Sequence, residues 1–273
     1  MSFCYFNQKI ISEKKAGVSL RDLGLLRGYG VFEVLTAHQK KLFLFKEHFK
    51  RLQNSAKKLR LKLPISEKRL KLLIKKLIVK NKLTDASIRV VLTGGVSQDG
   101  ITLGAKPTLF ILVNKINGFE KSNYLKGVKL ITTDYQREIP RAKISNYIKA
   151  IQLQKERNKK GAIEILYTHK GLVLEASTSS FFIFKGDTLM TPKNSILLGT
   201  VRGFVLKIAR RKFKIQERDL RLKELKEANE AFLTATIKGI MPVVKIDNLK
   251  IGNGKVGGNT KWLMEEFRRK LQQ

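Results

Sequence analysis

Two features of the sequence could bind a phosphate group. Arg51 lies on a predicted helix, on the same face as His48 and Ser55 and beside an apolar stripe, so its guanidinium can reach inward. The segment Gly199-Thr200-Val201 opens another predicted helix. Exposed N–H groups at a helix N-terminus and the forked donors of an arginine both favour phosphate oxygens. Each feature alone is a weak signal, because a chain with 56 lysines and arginines offers such residues in many places.

The other reactive residue types exclude several classes of site. His38, His48 and His169 do not have metal-ligand spacing, so the sequence predicts no metal site. A single cysteine, Cys4, excludes an internal disulfide framework and a cysteine-rich zinc site. No Gly-x-Gly-x-x-Gly segment leads from a strand into a helix, and this argues against a dinucleotide-binding motif.

Two amphipathic helices are the clearest elements of the first half of the chain. Apolar residues recur at spacings of three and four from Phe45 onward, which predicts a helix that ends at Pro64. A second helix follows, with Ser66 as its N-cap. Before them, Val31–Thr36 and Lys41–Phe45 have the pattern of a hairpin.

The second half combines short strands with helices. A strand at Val128–Asp134 precedes a helix from near Ile144 to Gly161, and a later helix runs from Thr200 to Arg211. Four short strands separated by glycine-containing turns lie between them. Because these elements do not follow a βαβ rhythm, they indicate an α+β fold.

The domain organisation follows from a change in composition. Asn114–Gly127 is rich in Gly, Asn and Lys and has no periodicity, which is typical of a linker. The sequence therefore predicts a small N-terminal α+β domain at residues 1–113, a linker at residues 114–127 and a larger C-terminal domain at residues 128–273.

The chain is strongly basic, with 56 Lys and Arg against 22 Asp and Glu and a formal net charge of +34. Such a field attracts polyanions non-specifically. However, no nucleic-acid-binding motif is present, and we expect no specific nucleic-acid partner. The apolar stretches are too short to cross a membrane, and no export segment is visible, so we expect a cytoplasmic protein.

Six collinear motifs resemble those of the class IV aminotransferases, a family that includes branched-chain and D-amino-acid transaminases and aminodeoxychorismate lyase. The motifs are Arg27–Glu33, Glu47–Leu52, Lys143–Tyr147, Leu174–Ser179, Thr191-Pro192 with Leu198–Arg202, and Leu233–Thr236 with Gly239–Val243. They follow the family's order and spacing from about residue 3 to residue 267. The resemblance implies the two-domain fold type IV, pyridoxal 5'-phosphate at the domain interface, and a homodimer.

The resemblance also implies the roles of individual residues. Lys143 matches the lysine that holds the cofactor covalently and moves a proton at the substrate. Glu175 matches the carboxylate that pairs with the pyridine nitrogen, and the C-terminal domain would be the cofactor-binding one. The phosphate contacts would come from Arg51, Thr200, Val201 and Thr236. Tyr147 matches a residue that contacts the cofactor's phenolic oxygen, although a core tyrosine is an equally good interpretation.

Recognition of the substrate carboxylate is where this sequence departs from the family pattern. Many relatives carry an arginine in the loop after a Thr-Arg-Gly-like turn, whereas here the turn reads Thr93-Gly94-Gly95 and the position holds Asp99. An aspartate cannot bind a carboxylate, so we expect Arg27 to do so. The alternative cations are Arg141 and Lys238, and the other predicted substrate contacts are Tyr29 and Phe32.

The activity implied by the resemblance is transfer of an amino group between an amino acid and a 2-oxo acid. Branched-chain L-amino acids and D-amino acids are both open as substrates. The nearest alternative is aminodeoxychorismate lyase, which yields 4-aminobenzoate and pyruvate. A remote alternative is a basic nucleic-acid-binding protein on a decayed enzyme fold, and the presence of Lys143, Glu175 and Arg51 argues against it.

Overall fold

The computed structural model describes residues 2–272, and the chain divides into two compact units. Unit 1 comprises Met1–Asn117 and Ala142–Asn146, and unit 2 comprises Gly118–Arg141 and Tyr147–Gln273. Ala142–Asn146, which lies inside the predicted C-terminal domain, is thus grouped with the N-terminal part of the chain. Residues 1 and 273, the outer ends of the predicted domains, lie outside the described residues.

Unit 1 is built on one antiparallel sheet with the strand order β2-β1-β6-β5-β3-β4. Its strands are β1 (Phe3–Phe6), β2 (Lys9–Ser12), β3 (Gly30–His38), β4 (Lys41–Leu42), β5 (Ala86–Thr93) and β6 (Leu109–Lys115). Its α-helices are α1 (Leu23–Arg27), α2 (Phe45–Lys58) and α3 (Glu67–Lys80), and a short 3-10 helix spans Glu13–Lys15. The β3–β4 pairing confirms the predicted hairpin.

The helices of unit 1 cover one face of this sheet. Helix α2 packs on β3, and α3 packs on β1 and β6. The buried residues of α2 are Phe45, His48, Phe49, Leu52, Ser55 and Ala56. The predicted apolar stripe is therefore confirmed, and His48 and Ser55 are two polar members of the buried face.

Helix α2 ends at Lys58, before the predicted stop at Pro64. Arg60 adopts a left-handed backbone with a φ of 53°. The N–H of Leu61 then donates to the carbonyl of Ala56 at 2.9 Å, which is the hydrogen bond that closes a helix through a left-handed residue. The helix end is thus set by this backbone conformation rather than by the proline.

Unit 2 contains a ten-stranded sheet with the order β12-β11-β10-β14-β15-β7-β8-β9-β13, and β16 pairs with β15. The strands are β7 (Val128–Asp134), β8 (Glu164–His169), β9 (Leu172–Ala176), β10 (Ser180–Lys185), β11 (Thr188–Thr191), β12 (Lys214–Glu217), β13 (Leu220–Arg221), β14 (Glu230–Ala235), β15 (Gly239–Ile246) and β16 (Leu249–Lys250). The helices are α4 (Lys121–Lys126), α5 (Ile148–Gln152), α6 (Gln154–Lys159), α7 (Thr200–Ala209) and α8 (Gly258–Gln272), with a 3-10 helix at Leu222–Glu227.

The four short strands that the sequence predicts in this half correspond to β8 to β11. The predicted linker at residues 114–127 contains the last residues of β6 and the whole of α4. Helix α7 packs on β14, and α8 packs on β14 and β15. Within residues 2–272, no helix combines the length and the apolar character needed to span a bilayer.

The predicted helix from Ile144 to Gly161 is wrong at its start. Ile144 forms an antiparallel bridge with Val31, and the N–H of Ser145 donates to the carbonyl of Gly30 at 2.9 Å. The backbone around Lys143 is therefore extended along β3, and helical structure begins only with α5. Pairing with a strand that is distant in sequence overrides the local helical pattern.

Candidate active site

Lys143 lies in unit 1 on the extended segment beside β3. Its carbonyl accepts a hydrogen bond from the N–H of Phe32 at 3.0 Å, and its own N–H donates to Ser55 Oγ at 3.0 Å. Lys143 Nζ is 4.5 Å from the centre of the Phe32 ring. A strand edge and a hydroxyl of α2 thus fix its backbone, and its amine rests over an aromatic ring.

A buried carboxylate, Glu33, orients the guanidinium of Arg51 in the same unit. Arg51 Nε donates to Glu33 Oε2 at 2.9 Å, and Nη2 donates to Oε1 at 2.6 Å. His48 Nδ1 lies 3.1 Å from Oε1, and the N–H of Val34 donates to the same oxygen at 2.9 Å. Glu33 is 1% exposed and the Arg51 side chain 12%. Arg51 is thus held by two parallel hydrogen bonds to a buried acid.

The ionisation of Glu33 follows from these contacts. Burial by itself raises the pKa of a carboxyl group. At Glu33 this effect is outweighed by the charge and hydrogen bonds of Arg51 and His48, so the pKa of Glu33 lies well below its ordinary value. The acid is therefore present as an ion.

Arg89 is a second cation on the Phe32 ring, and sequence reasoning missed it. The register of β3 and β5 pairs Phe32 with Val91 and Val34 with Arg89, so these side chains share the sheet face opposite to the one that carries Glu33. The guanidinium carbon of Arg89 is 5.1 Å from the centre of the Phe32 ring. The only signal in the sequence is a charged residue inside an otherwise apolar strand.

Arg27 and Tyr29, which the sequence predicts as substrate contacts, lie at and just after the end of α1. Arg27 is exposed, and its Nη1 donates to the carbonyl of Leu26 at 3.1 Å. Tyr29 is half-buried, and its hydroxyl donates to the carbonyl of Leu59 at 2.6 Å, at the end of α2.

Asp99 organises its own loop. Its carboxylate accepts hydrogen bonds from the hydroxyl and N–H of Thr102, from the N–H of Ile101 and from the hydroxyl of Ser97. The hydrogen bond from the Thr102 hydroxyl, followed by the backbone donors, holds the pKa of Asp99 well below its ordinary value. The residue at the position of the usual arginine is thus a structural part of the loop.

Glu175 lies in unit 2 on β9 and is paired with Arg137, which sequence reasoning also missed. Glu175 Oε1 accepts hydrogen bonds from Arg137 Nη2 at 2.5 Å and Nε at 3.1 Å, and from the N–H of Leu197 at 3.1 Å. Glu175 is 4% exposed and Arg137 is 6%. Burial lowers the pKa of Arg137, but the charge of Glu175 outweighs burial and the net pKa is raised. Nothing in the local pattern around residue 137 distinguishes this arginine from the others.

The start of α7 is closely packed at Gly199. Gly199 is its N-cap, and a Cβ added there would lie 2.7 Å from Ser180 Oγ. Thr200 is half-buried and Val201 is buried in the first turn. Thr236, half-buried, follows β14, and half-buried Tyr147 is the N-cap of α5 and interacts electrostatically with Arg137.

The two alternative cations are held by groups of unit 2. Lys238 Nζ donates to Glu164 Oε1 at 2.7 Å and to Thr178 Oγ1 at 2.8 Å, and Glu164 is buried. Arg141 Nη2 donates to the carbonyl of Lys193 at 2.8 Å. These contacts give Lys238 and Arg141 structural partners within the fold.

Taken unit by unit, the described groups include ones whose chemistry suits an anionic, aromatic nitrogen cofactor. Buried Glu175 can hold a cationic ring nitrogen, a helix N-terminus and an arginine can hold a phosphate, and Lys143 offers an amine. Arg137 Nη1 is buried and has no hydrogen-bond partner among residues 2–272, so it could donate to an oxygen of a bound group. No cluster of His, Cys, Asp and Glu suited to a metal ion occurs in that same range.

Comparison with known proteins agrees with this set of groups. A family model described as amino-transferase class IV matches residues 30–246. A putative branched-chain-amino-acid aminotransferase of Methanocaldococcus jannaschii is 35% identical, over 97% of this chain and 94% of that protein. A D-alanine aminotransferase of Listeria monocytogenes is 28% identical, over 96% and 93%. The crystal structure of a T.th. branched-chain amino acid aminotransferase with pyridoxamine 5'-phosphate superposes with a TM-score of 0.92 at 25% identity, covering 99% of this chain and 94% of that one.

We predict that Arg137→Met destabilises unit 2 severely. The substitution leaves Glu175 buried without its cation, and breaking a buried ion pair in this way costs about 3–5 kcal/mol in the free energy of unfolding. Urea unfolding followed by circular dichroism measures the loss. Arg141→Met is the matched control, because this arginine donates to a backbone carbonyl, and we expect it to cost roughly 1 kcal/mol. Equal losses in the two variants would contradict the importance of the Arg137–Glu175 pair.

Proposed function

The chain belongs to the class IV aminotransferases, and we propose that it transfers amino groups between a branched-chain amino acid and a 2-oxo acid. As a member of this family it is a pyridoxal-phosphate-dependent transaminase. The observation that carries the choice of substrate is 35% identity, over nearly the whole chain, to a protein named as a putative branched-chain-amino-acid aminotransferase. The half-buried apolar residues that share the sheet face of Phe32 and Arg89 suit an aliphatic side chain.

The proposed roles follow the chemistry that each residue can perform. When bound, pyridoxal 5'-phosphate supplies an aromatic ring that accepts electrons from the substrate's α-carbon. Lys143 Nζ holds the cofactor covalently and carries a proton to and from that carbon. Glu175, which is paired with Arg137, would hold a proton on the ring nitrogen, and Tyr147 would donate to the phenolic oxygen.

The proposed phosphate contacts are those that the family motifs indicate. Arg51 supplies a charged, forked donor whose direction is fixed by Glu33. The N–H groups of Thr200 and Val201 at the start of α7 supply backbone donors. Thr236 supplies a hydroxyl.

For the substrate carboxylate we propose Arg89 in preference to Arg27. Arg89 and Lys143 both lie on the Phe32 ring, with the guanidinium carbon of Arg89 5.1 Å and Lys143 Nζ 4.5 Å from its centre. Arg27 and Arg89 are both exposed, but Arg27 Nη1 donates to the carbonyl of its own neighbour, Leu26. Arg27, together with Tyr29, remains the alternative from the sequence pattern.

A D-amino acid is the second candidate substrate, because several relatives at 26–29% identity are named D-alanine aminotransferases. The lyase alternative is not favoured, since the similar proteins reported above are aminotransferases. Cytoplasmic location stays a prediction from the sequence, and locating the tagged protein in fractionated cells tests it.

We predict that borohydride reduction of the holoenzyme attaches the pyridoxyl label to Lys143, and that peptide mapping finds it there. Lys143→Ala should lose the label and about 10²–10⁴-fold in the rate of amino transfer, because its proton transfer is lost. Glu175→Gln should keep the label on Lys143 while losing roughly 10²–10³-fold in rate, because one electrostatic partner is removed. Assays with L-leucine, D-leucine and D-alanine identify the substrate. A label on another lysine would refute the assignment.

We predict that Arg89→Met raises the KM for the amino acid about 10- to 100-fold, the equivalent of one lost charged hydrogen bond. Arg27→Met is the matched comparison, since both lie in unit 1 and carry the same charge. It should leave KM close to the wild-type value, with cofactor binding intact in both variants. The reverse result, a raised KM only for Arg27→Met, would favour Arg27 as the carboxylate ligand.

We also propose that the chain is a homodimer that pairs through an exposed apolar surface of unit 1. Leu20, Leu25 and Ile101 are 80%, 61% and 77% exposed. The N–H of Ser97 donates to the carbonyl of Arg21, which joins the two segments that carry them. A grouped apolar surface of this kind is typical of an interface.

We predict that Leu20→Glu halves the mass measured by light scattering, because a charge at the interface opposes association. Leu125→Glu is the control, since Leu125 of α4 is 77% exposed but lies in unit 2. A wild-type protein that has the mass of one chain would refute the homodimer.

A further inference from the structure

We propose that Glu33 is a positioning residue for phosphate binding, acting through Arg51. It would raise the affinity for a phosphorylated cofactor by holding the guanidinium in one orientation. The inference rests on the proposed function, in which Arg51 binds the cofactor's phosphate.

The geometry gives Glu33 control over the direction of Arg51. Two donors of the guanidinium, Nε and Nη2, bond to the two carboxylate oxygens of Glu33. A guanidinium is planar, so fixing two of its nitrogens also fixes the plane and direction of Nη1. An arginine on a helix otherwise has considerable rotamer entropy to lose when a ligand binds.

Glu33 is itself anchored, so the constraint extends from the sheet to the helix. The N–H of Val34 and Nδ1 of His48 both contact Oε1. Val34 belongs to β3 and His48 to α2, one turn before Arg51. The carboxylate is buried and cannot move to another partner without breaking these contacts. Arg51 is thereby ordered before any ligand arrives, and preorganisation of this kind increases affinity.

A simple charge argument gives the opposite expectation. An ionised carboxylate close to a phosphate site would repel the anion, and its removal would strengthen binding. If Glu33 positions Arg51, its removal weakens binding despite the loss of a negative charge. The sign of the effect therefore separates the two interpretations.

Helix α2 also supports Lys143 through a different residue. Ser55, one turn after Arg51, accepts a hydrogen bond from the N–H of Lys143 at 3.0 Å. This contact does not involve Glu33. Loss of Glu33 is therefore expected to affect phosphate binding and to leave the attachment of the cofactor to Lys143 intact.

The test compares pyridoxal 5'-phosphate with pyridoxal, which lacks the phosphate, on the full-length chain freed of cofactor. We predict that Glu33→Gln, nearly isosteric but uncharged, weakens pyridoxal 5'-phosphate binding about 10- to 100-fold, by analogy with losses seen when the support of a ligand-binding residue is removed. The affinity for pyridoxal should stay at the wild-type value. Equilibrium dialysis measures both constants, and borohydride labelling checks attachment at Lys143.

A double-mutant cycle shows whether Glu33 acts through Arg51. Arg51→Gln should abolish most of the preference for the phosphorylated ligand, and adding Glu33→Gln to it should change nothing further. Asp22→Asn is the matched control, because Asp22 is a fully buried carboxylate of unit 1 that bonds to Thr93 and Thr108. It should alter both affinities equally or neither. Should Glu33→Gln fail to fold, Glu33→Asp keeps the charge but shortens the reach, and a smaller selective loss is expected.

Three results would overturn the proposal. Glu33→Gln could bind pyridoxal 5'-phosphate more tightly, could weaken both ligands equally, or could weaken binding as much in the Arg51→Gln background as in the wild type. Failure of the proposed function looks different. In that case the wild-type protein itself shows no preference for the phosphorylated ligand, or the label is not on Lys143.

Discussion

The structure depends on two buried carboxylates, Glu33 and Glu175, each of which is paired with a cation and accepts further hydrogen bonds. An ion that is removed from water without such partners costs several kcal/mol, roughly the scale of the whole stability of a domain. Glu33 meets this requirement with Arg51, His48 and a backbone N–H in unit 1. Glu175 meets it with Arg137 and a backbone N–H in unit 2. In the proposed function, Arg51 and Glu175 from these two pairs also bind the cofactor.

This constraint explains why the fold and the candidate site share residues. The buried face of helix α2 includes two polar residues, His48 and Ser55. His48 contacts Glu33, and Ser55 accepts a hydrogen bond from the N–H of Lys143. The segment at Lys143 is extended and not helical, because its backbone forms hydrogen bonds with β3. Substitutions at these positions would change stability and ligand binding together, so measurements that separate the two are necessary.

The sequence predicted the parts of the molecule that depend on local pattern. The stripe of α2, the Ser66 cap and the hairpin at β3 and β4 follow from periodicity and turn chemistry. The helix predicted at Ile144 and the missed roles of Arg137 and Arg89 have one cause. Each depends on a contact between residues that are distant in the chain. The chain has 56 basic residues, and the sequence alone gives no reason to select Arg137 and Arg89 among them. The collinear motifs nevertheless indicated the family correctly, because their order and spacing reflect a fold in which such distant contacts form.

The position that holds Asp99 lacks the arginine found in many relatives, and in the proposed function Arg89 supplies the cation instead. The carboxylate of Asp99 accepts hydrogen bonds from hydroxyl and N–H groups of its own loop. An arginine at this position could not accept them, and the loop would lose these internal hydrogen bonds. Arg89 presents a cation from the middle of a paired strand, on the same aromatic ring as Lys143. The backbone that carries an arginine side chain is held more rigidly in a paired strand than in a loop. If the proposed function is correct, a carboxylate bound to Arg89 would have less freedom of orientation, and discrimination between substrates would depend on the apolar side chains of the same sheet face.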